Sequence, residues 1–305
     1  MHETALLSTN GRDFLHIVVW EPKTEIKAIL QISHGMVEYV KRYNEFAEYL
    51  NEFGILVVGN DHLGHGQTAK PKDLGYFGSE KSEVVVDDLH EVMTGVKSVY
   101  GNQIPYFLFG HSMGSFMARR FLMTYGDKLN GAILSGTGYQ PWITIGGGKL
   151  IASIIQCFRG ERYRSDFLKK MAFGSYNKRI SDSKSPNAWL TKEESIVQAY
   201  DKDPYCTFNF TVNGYQTLFD VLSFIQKKGN VNNIPDNLPI LMISGQEDPV
   251  GGYGKGVEKV YEQMKNAGIS NLTLRMFPTD RHELTNETDR YDVYETVKNW
   301  ILVGA

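Results

Sequence analysis

A serine between two glycines is the clearest candidate for a reactive group in this sequence. The pentapeptide at 110–114, GHSMG, follows an apolar run at 104–109 and precedes a helix-like segment at 115–125. This order predicts a sharp strand-to-helix turn, with glycines where side chains would collide with the neighbouring strand and helix. We expect Ser112 to present its hydroxyl at the positive end of the helix and to act as a nucleophile. An ordinary turn with a surface serine is the alternative.

An activated serine needs a general base, and the base needs an acid to orient it. His282 is the candidate base and Asp248 the candidate acid, because each closely follows an apolar run that predicts a buried strand. Glu247 competes for the role of the acid, but Asp248 is favoured because Pro249 fixes the turn after it. The chain order of serine, aspartate and histidine is that of an α/β-hydrolase.

Two backbone N–H groups are candidates for binding the negative oxygen of a tetrahedral intermediate. One belongs to Met113, directly after the serine, and the other to Met36, after the strand-like run at 28–33. Donors at these two places would face the charge that develops during acyl transfer. A simple turn at His34 and Gly35 is the alternative.

Other histidines close to these motifs have simpler explanations. His62 and His65 lie in a glycine-rich turn, where no third ligand is evident, so we expect loop hydrogen bonds rather than a metal site. His111 precedes the serine, and we expect its side chain to point away from the catalytic face. We therefore predict no metal site.

The elements that must position these residues alternate between strands and helices at both ends of the chain. The predicted strands are at 14–20, 28–33, 55–59, 106–109, 132–134, 240–244 and 272–277, and the predicted helices at 40–53, 82–100, 115–125, 255–267 and 289–302. Such alternation predicts an α/β fold, with a mostly parallel central sheet and helices on both faces. The alternation stops near residue 138 and returns near 236, a gap too long for a structureless loop. We therefore expect an α/β-hydrolase core at 1–137 and 236–305 and an inserted cap at 138–235.

The predicted cap would lie over the carboxyl ends of the strands, where open α/β sheets bind their ligands. Its large apolar side chains are Met171, Phe173, Trp189, Phe208, Phe210, Leu218, Phe219, Leu222 and Phe224. They could line a channel for an acyl chain, but we expect most of them to form the cap's own core. Transient contact of an apolar cap mouth with a membrane surface is a further possibility, although no basic amphipathic helix is evident there.

The composition excludes several classes of protein. The chain has 305 residues, a net charge of −3 and no basic tract, so nucleic acid is not an expected partner. The first twelve residues are polar, which does not fit a secretory signal, and no apolar run is long enough to span a membrane. Cys157 and Cys206 lack the spacing of a metal site, so we expect free thiols and a cytoplasmic location.

Five motifs together resemble the monoacylglycerol lipase and lysophospholipase family of α/β-hydrolases, a group often labelled serine aminopeptidase-like. They are HGMVE at 34–38, NDHLGHG at 60–66, GHSMG at 110–114, DPV at 248–250 and RHE at 281–283. The resemblance covers the predicted core, and the cap resembles the family only by its place in the chain. It implies a serine esterase that uses no cofactor and hydrolyses a small-molecule ester, a monoacylglycerol or a lysophospholipid.

The resemblance also implies roles for Glu38 and Arg42, which match residues that hold the glycerol end of the substrate in monoacylglycerol lipases. A surface ion pair at a helix start is the alternative. The sequence ELTNE at 283–287 is more similar to the bacterial lysophospholipase branch than to the vertebrate lipases. The head group of the substrate therefore stays open.

Other functions compete with the lipid esterase hypothesis. A small-ester carboxylesterase would use the same residues, and a serine peptidase would also need carboxylates for a free amino terminus, for which Asp201 and Asp203 are weak candidates. A binding protein without activity is a further alternative. The combination of serine, histidine and aspartate argues against it, because a binding protein needs no activated serine.

Overall fold

The computed structural model describes residues 1–78, 81–180 and 183–304. Within these ranges eight strands form one sheet. The strands are β1 His2–Leu7, β2 Phe14–Trp20, β3 Ala28–Ser33, β4 Ile55–Asn60, β5 Tyr106–His111, β6 Gly131–Ser135, β7 Ile240–Gly245 and β8 Leu272–Phe277. Their order in the sheet is β1-β2-β4-β3-β5-β6-β7-β8, and β3 to β8 run parallel. The two strands at the β1 edge pair in antiparallel fashion.

The described residues form ten α-helices. They are α1 Asn44–Asn51, α2 Val84–Tyr100, α3 Met113–Tyr125, α4 Trp142–Arg159, α5 Asp166–Phe173, α6 Glu194–Lys202, α7 Val212–Ile225, α8 Lys228–Val231, α9 Lys255–Asn266 and α10 Arg290–Gly304. Apolar residues of α1 and α10 pack on one face of the sheet, against side chains such as Phe107 and Phe109. Residues of α2, α3 and α9 pack on the other face, against Tyr106 and Leu108. The predicted mostly parallel sheet with helices on both faces is confirmed.

The central strands were predictable because both of their faces are covered. Every residue of β3, β4 and β5 is buried, which requires the near-continuous apolar runs seen in the sequence. Strand β1 was missed, because its edge position leaves nearly all of its residues exposed and only half of them are apolar. The helix predicted at 40–53 is shorter: a 3-10 turn at Val40–Tyr43 leads into α1.

The chain between β6 and β7 contains helices α4 to α8, and its described part adds no strand to the sheet. One isolated bridge, between Arg164 and Thr211, joins two of its loops. Helix α7 packs on both α4 and α3, so this helical segment lies against the helix that follows Ser112. We refer to residues 138–235 as the cap, and its separation from the core as a domain stays a prediction.

Candidate active site

The predicted site residues follow four different parallel strands and meet at one edge of the sheet. Met36 follows β3, Ser112 follows β5, Asp248 follows β7 and His282 follows β8. The carboxyl ends of parallel strands lie at the same edge, so the loops after them converge. The register places Ser33 beside Gly110, so the loop of Met36 starts next to the turn of the serine.

Ser112 occupies the strained turn that the sequence predicts. Its backbone has φ 52° and ψ −120°, a combination that non-glycine residues rarely adopt. The Ser112 N–H donates to the carbonyl of Ser135 at 2.9 Å, and the Ser112 carbonyl accepts from the N–H of Ser115 at 2.9 Å. These bonds fix the residue between β6 and the first turn of α3, and such strain is typical of functional sites.

The glycines of the turn are required because α3 lies very close to the sheet. A Cβ atom on Gly114 would lie 1.9 Å from the carbonyl oxygen of Ser33, and one on Gly110 would lie 2.6 Å from the carbonyl oxygen of Gly114. Both are backbone atoms, which cannot move aside without shifting the strand or the helix. The pentapeptide thus has the geometry expected of a nucleophile turn.

His282 and Asp248 form a buried hydrogen-bonded pair. The Nδ1 atom of His282 lies 2.9 Å from Oδ2 of Asp248, and the other oxygen of Asp248 accepts from the N–H of Val250 at 2.8 Å. A carboxylate can only accept here, so the proton of the histidine sits on Nδ1. Among the described residues, Nε2 of His282 has no hydrogen-bond partner. Glu247, the competing acid, is exposed.

A cavity of about 960 Å³ opens next to this pair. Its wall includes Ser112 and His282 together with Met36 and Met113, the residues predicted to supply the two backbone donors. A Cβ atom on Gly35 would lie 3.2 Å from Cβ of Ser112, so the loop of Met36 packs directly against the serine. The structure therefore brings four of the five predicted catalytic and oxyanion residues to one cavity, and the fifth, Asp248, is fully buried and bonded to His282.

The cap supplies most of the apolar wall of the cavity. The predicted cap residues that line it are Met171, Phe173, Trp189, Phe208, Phe210, Leu218, Phe219 and Leu222. Phe224 instead packs under the guanidinium of Arg120, 4.4 Å from the ring centroid. Many of these side chains belong to the apolar core and also face the cavity, so more of them line the cavity than we expected.

His111 does not point away from the site, and that prediction is wrong. It lines the cavity, and its ring centroid lies 4.7 Å from that of His282. The ring fits there because Gly35 and Gly136 lack side chains: a Cβ on either would lie within 3.3 Å of it. Burial, together with the neighbouring His282, holds the pKa of His111 well below its ordinary value, so the ring is neutral.

Three further histidines hold the loop that contains Met36. The Nε2 atom of His34 accepts from the N–H of His62 at 3.0 Å, and Nε2 of His65 accepts from the N–H of Val37 at 3.3 Å. Burial lowers the pKa of all three rings, so they are neutral and can accept such bonds. His62 and His65 thus have the loop hydrogen bonds that we expected. No group of metal-ligating side chains occurs in the described part of the chain.

Glu38 and Arg42 belong to a buried ion cluster with Glu283, which the sequence did not single out. Nη1 of Arg42 lies 2.7 Å from Oε2 of Glu38 and 2.7 Å from Oε1 of Glu283, and Nη2 lies 2.7 Å from Oε2 of Glu283. Burial opposes the ionisation of both carboxyl groups. The charge of Arg42 outweighs burial at Glu283 and lowers its pKa, whereas the pKa of Glu38 stays raised. The alternative of a surface ion pair is wrong, since all three side chains are largely buried.

The chain is similar to several known proteins. A family model described as serine aminopeptidase, S33 matches residues 24–289. The chain is 27% identical to a monoglyceride lipase homolog of Monkeypox virus, over 97% of this chain and 98% of that protein. It is 25% identical to the monoglyceride lipase of Rattus norvegicus, over 97% and 89% of the two chains. A solved structure of a highly thermostable carboxyl esterase from Bacillus coagulans, in complex with glycerol, superimposes with a TM-score of 0.92 at 29% identity, covering 98% and 97%.

Proposed function

Because the chain belongs to the serine aminopeptidase, S33 family, we propose that it is a serine hydrolase that cleaves the ester bond of monoacylglycerols or lysophospholipids. One observation supports this most strongly. The strained serine and the buried histidine–aspartate pair open into a cavity whose wall is mainly apolar. An acyl chain needs such a wall, and the reactive carbonyl needs the polar groups at its end.

The reaction follows from the proposed roles of the residues. Ser112 Oγ attacks the ester carbonyl while Nε2 of His282 takes its proton, and Asp248 stabilises the resulting imidazolium. The N–H groups of Met36 and Met113 bind the tetrahedral oxyanion, each lowering the barrier by about 2.7–4 kcal/mol. His282 then protonates the leaving alcohol, and a water molecule, activated by the same histidine, hydrolyses the acyl-enzyme.

A peptidase activity receives less support from the site, because the buried carboxylates that line the cavity are engaged and Asp166, at the start of α5, is exposed. A free amino terminus would need an unengaged carboxylate in the cavity. Asp201 lines the cavity, but its Oδ1 accepts from Nδ2 of Asn187 at 2.7 Å. Asp203 accepts from the hydroxyl of Tyr39 at 2.8 Å. Glu38 and Glu283 also line the cavity but are bound by Arg42.

We further propose that the cap rests on a lipid surface while the substrate enters. One side of α4 exposes large apolar residues, and Phe167 of α5 lies exposed as well. The exposed residues of α4 are Trp142, Ile143, Leu150, Ile154 and Phe158. Apolar stripes of this kind bury into the head-group region of a bilayer. No helix in the described part of the chain is long and apolar enough to cross a membrane. In this proposal the protein acts from the cytoplasm and touches the membrane only transiently.

A hydrolysis panel tests the proposed function. It compares the wild type with Ser112→Ala on p-nitrophenyl esters of increasing chain length, a monoacylglycerol, a lysophosphatidylcholine and an aminoacyl-nitroanilide. We expect cleavage of medium or long monoacyl esters and a loss of about 10⁴-fold or more in kcat for Ser112→Ala. Cleavage of short esters alone would indicate a small-ester carboxylesterase. Cleavage of the nitroanilide alone would indicate a peptidase, and full activity of the alanine variant would refute the mechanism.

A further inference from the structure

One buried arginine connects the two loops that carry the proposed oxyanion donor and the proposed base. Arg42 is not one of the proposed catalytic residues, and it is not among the described residues that line the cavity. Its Nη1 atom nevertheless bridges Glu38, in the loop after β3, and Glu283, in the loop after β8. These two glutamates are separated by 245 positions in the chain, and both side chains are only 4% exposed. The connection is therefore made by tertiary structure alone.

On the oxyanion side, Glu38 holds the backbone in place. Its Oε1 atom accepts from the N–H of Gly35, the residue before Met36, and from the hydroxyl of Tyr43 at 2.9 Å. A charged acceptor forms stronger bonds than a neutral one. The direction of the Met36 N–H is set by the peptide units around it, so Glu38 orients the donor without touching the substrate's carbonyl.

On the base side, Glu283 directly follows His282. Both of its carboxylate oxygens contact Arg42, and Oε2 also accepts from Nδ2 of Asn286 at 2.9 Å. The Glu283 N–H donates to the carbonyl of Leu190 in the cap at 2.7 Å. With its side chain and its backbone both fixed, Glu283 limits how far the peptide of His282 can move.

The guanidinium is also held from the cap. It lies over the ring of Tyr200, 4.9 Å from the ring centroid, and the Tyr200 hydroxyl donates to the carbonyl of Val37 at 2.8 Å. Tyr200 therefore contacts both the arginine and the loop of Met36. A planar guanidinium can bind a carboxylate with two parallel bonds and stack on a ring at the same time, which a lysine ammonium cannot do.

We propose that Arg42 is a positioning residue that fixes the distance between the oxyanion donor of Met36 and the base His282. The proposal rests on the proposed function, and it differs from the role that the family resemblance implies. A residue that holds glycerol would affect only substrates with a glycerol head. A residue that positions both loops affects the transition state of every ester, whatever its alcohol.

Two esters with the same acyl group separate these roles. The wild type, Arg42→Gln and Arg42→Lys are assayed on 1-monobutyrylglycerol and on p-nitrophenyl butyrate, which has no glycerol. We expect Arg42→Gln to lower kcat by about 10²-fold on both esters with KM little changed, since displacements near 1 Å at a reacting centre have effects of this size. Arg42→Lys should recover only part of kcat, because it restores the charge without the paired bonds. Arg290→Gln, which removes a more exposed arginine bound to Glu45, is the matched control and should keep full activity.

Activities can be compared only between folded variants, so the thermal unfolding of each variant is measured by circular dichroism. If Arg42→Gln does not fold, Glu283→Gln replaces it, because that variant keeps the contact between Arg42 and Glu38 while weakening the base side. A loss confined to 1-monobutyrylglycerol would overturn the proposal in favour of head-group binding. Unchanged kcat on both esters in a folded variant would also overturn it. A wild type that cleaves neither these butyrates nor the longer monoacyl esters of the hydrolysis panel would instead refute the proposed function, and with it the reaction that Arg42 would serve.

Discussion

Replacing Asp248 by asparagine tests which ring nitrogen of the proposed base, His282, carries the proton. The two oxygens of Asp248 have different partners: Oδ1 accepts from the N–H of Val250 at 2.8 Å, and Oδ2 lies 2.9 Å from Nδ1 of His282. The N–H of Val250 can only donate, so the amide oxygen of asparagine must take the place of Oδ1. The amide nitrogen then faces Nδ1 of His282. It donates there, which moves the proton of the ring to Nε2.

The size of the effect follows from this change of tautomer. With a proton on Nε2, His282 cannot accept the proton of Ser112, and in serine hydrolases with this arrangement the same change lowers kcat about 10⁴-fold. That factor corresponds to about 5.4 kcal/mol of transition-state stabilisation. The fold should survive, since asparagine has nearly the same shape and keeps the bond to Val250. The assay is kcat for p-nitrophenyl butyrate, with thermal unfolding measured in parallel.

Glu247→Gln is the matched control, because Glu247 is the neighbouring acid and is exposed. It should keep wild-type kcat. A loss below tenfold in Asp248→Asn, or a comparable loss in Glu247→Gln, would refute the assignment of the acid and the tautomer argument with it.

Two more predictions concern the cap and the response to pH. The double variant Ile143→Asp/Phe158→Asp should bind phosphatidylcholine vesicles at least about tenfold more weakly than the wild type in a sedimentation assay, since each buried apolar side chain contributes roughly 1.5–3 kcal/mol. Val99→Asp, at a similarly exposed site on α2, should bind as the wild type does, and equal binding by all three proteins would argue against docking through α4. Burial and two neighbouring carboxylates raise the pKa of Asp280 from 3.8 to about 6. Its protonated form therefore favours folding, and this stability is lost as the pH rises from about 4 to about 6. Over that range the free energy of unfolding of Asp280→Asn should rise relative to the wild type in denaturant titrations, and a difference that stays constant with pH would contradict this.

The sequence predicted the parts of the fold that depend on local patterns. Buried parallel strands need continuous apolar runs, and the turn of Ser112 needs glycines at two fixed places. Both features can therefore be recognised within one short segment of the sequence. The sequence favoured Asp248 over Glu247 only because Pro249 follows it, and the structure places Asp248 beside His282 and leaves Glu247 exposed. That choice depends on the direction of two side chains after a turn, which no local pattern encodes.

Contacts between distant segments could not be predicted in this way. His111 faces the site because two glycines from other loops leave space for its ring. Glu283 acquires its buried ion pair from Arg42, which precedes it by 241 residues. The cap residues face a cavity that exists only once the helices have packed. In each case the deciding neighbour comes from elsewhere in the chain, so a single segment contains no signal for it.

One stretch of the cap is hydrogen-bonded to the core near His282, whereas helix α4 is largely exposed. This difference affects how the site keeps its geometry. Nη1 of Arg281 donates to the carbonyls of Ala188 and Thr191, and the N–H of Glu283 donates to the carbonyl of Leu190. This stretch of the cap is thus bonded to the residues on either side of His282. Helix α4, by contrast, exposes apolar residues such as Ile143, which is 83% exposed. A movement of the bonded stretch would disturb the histidine, whereas a movement of α4 would change access to the cavity and leave the catalytic loops in place.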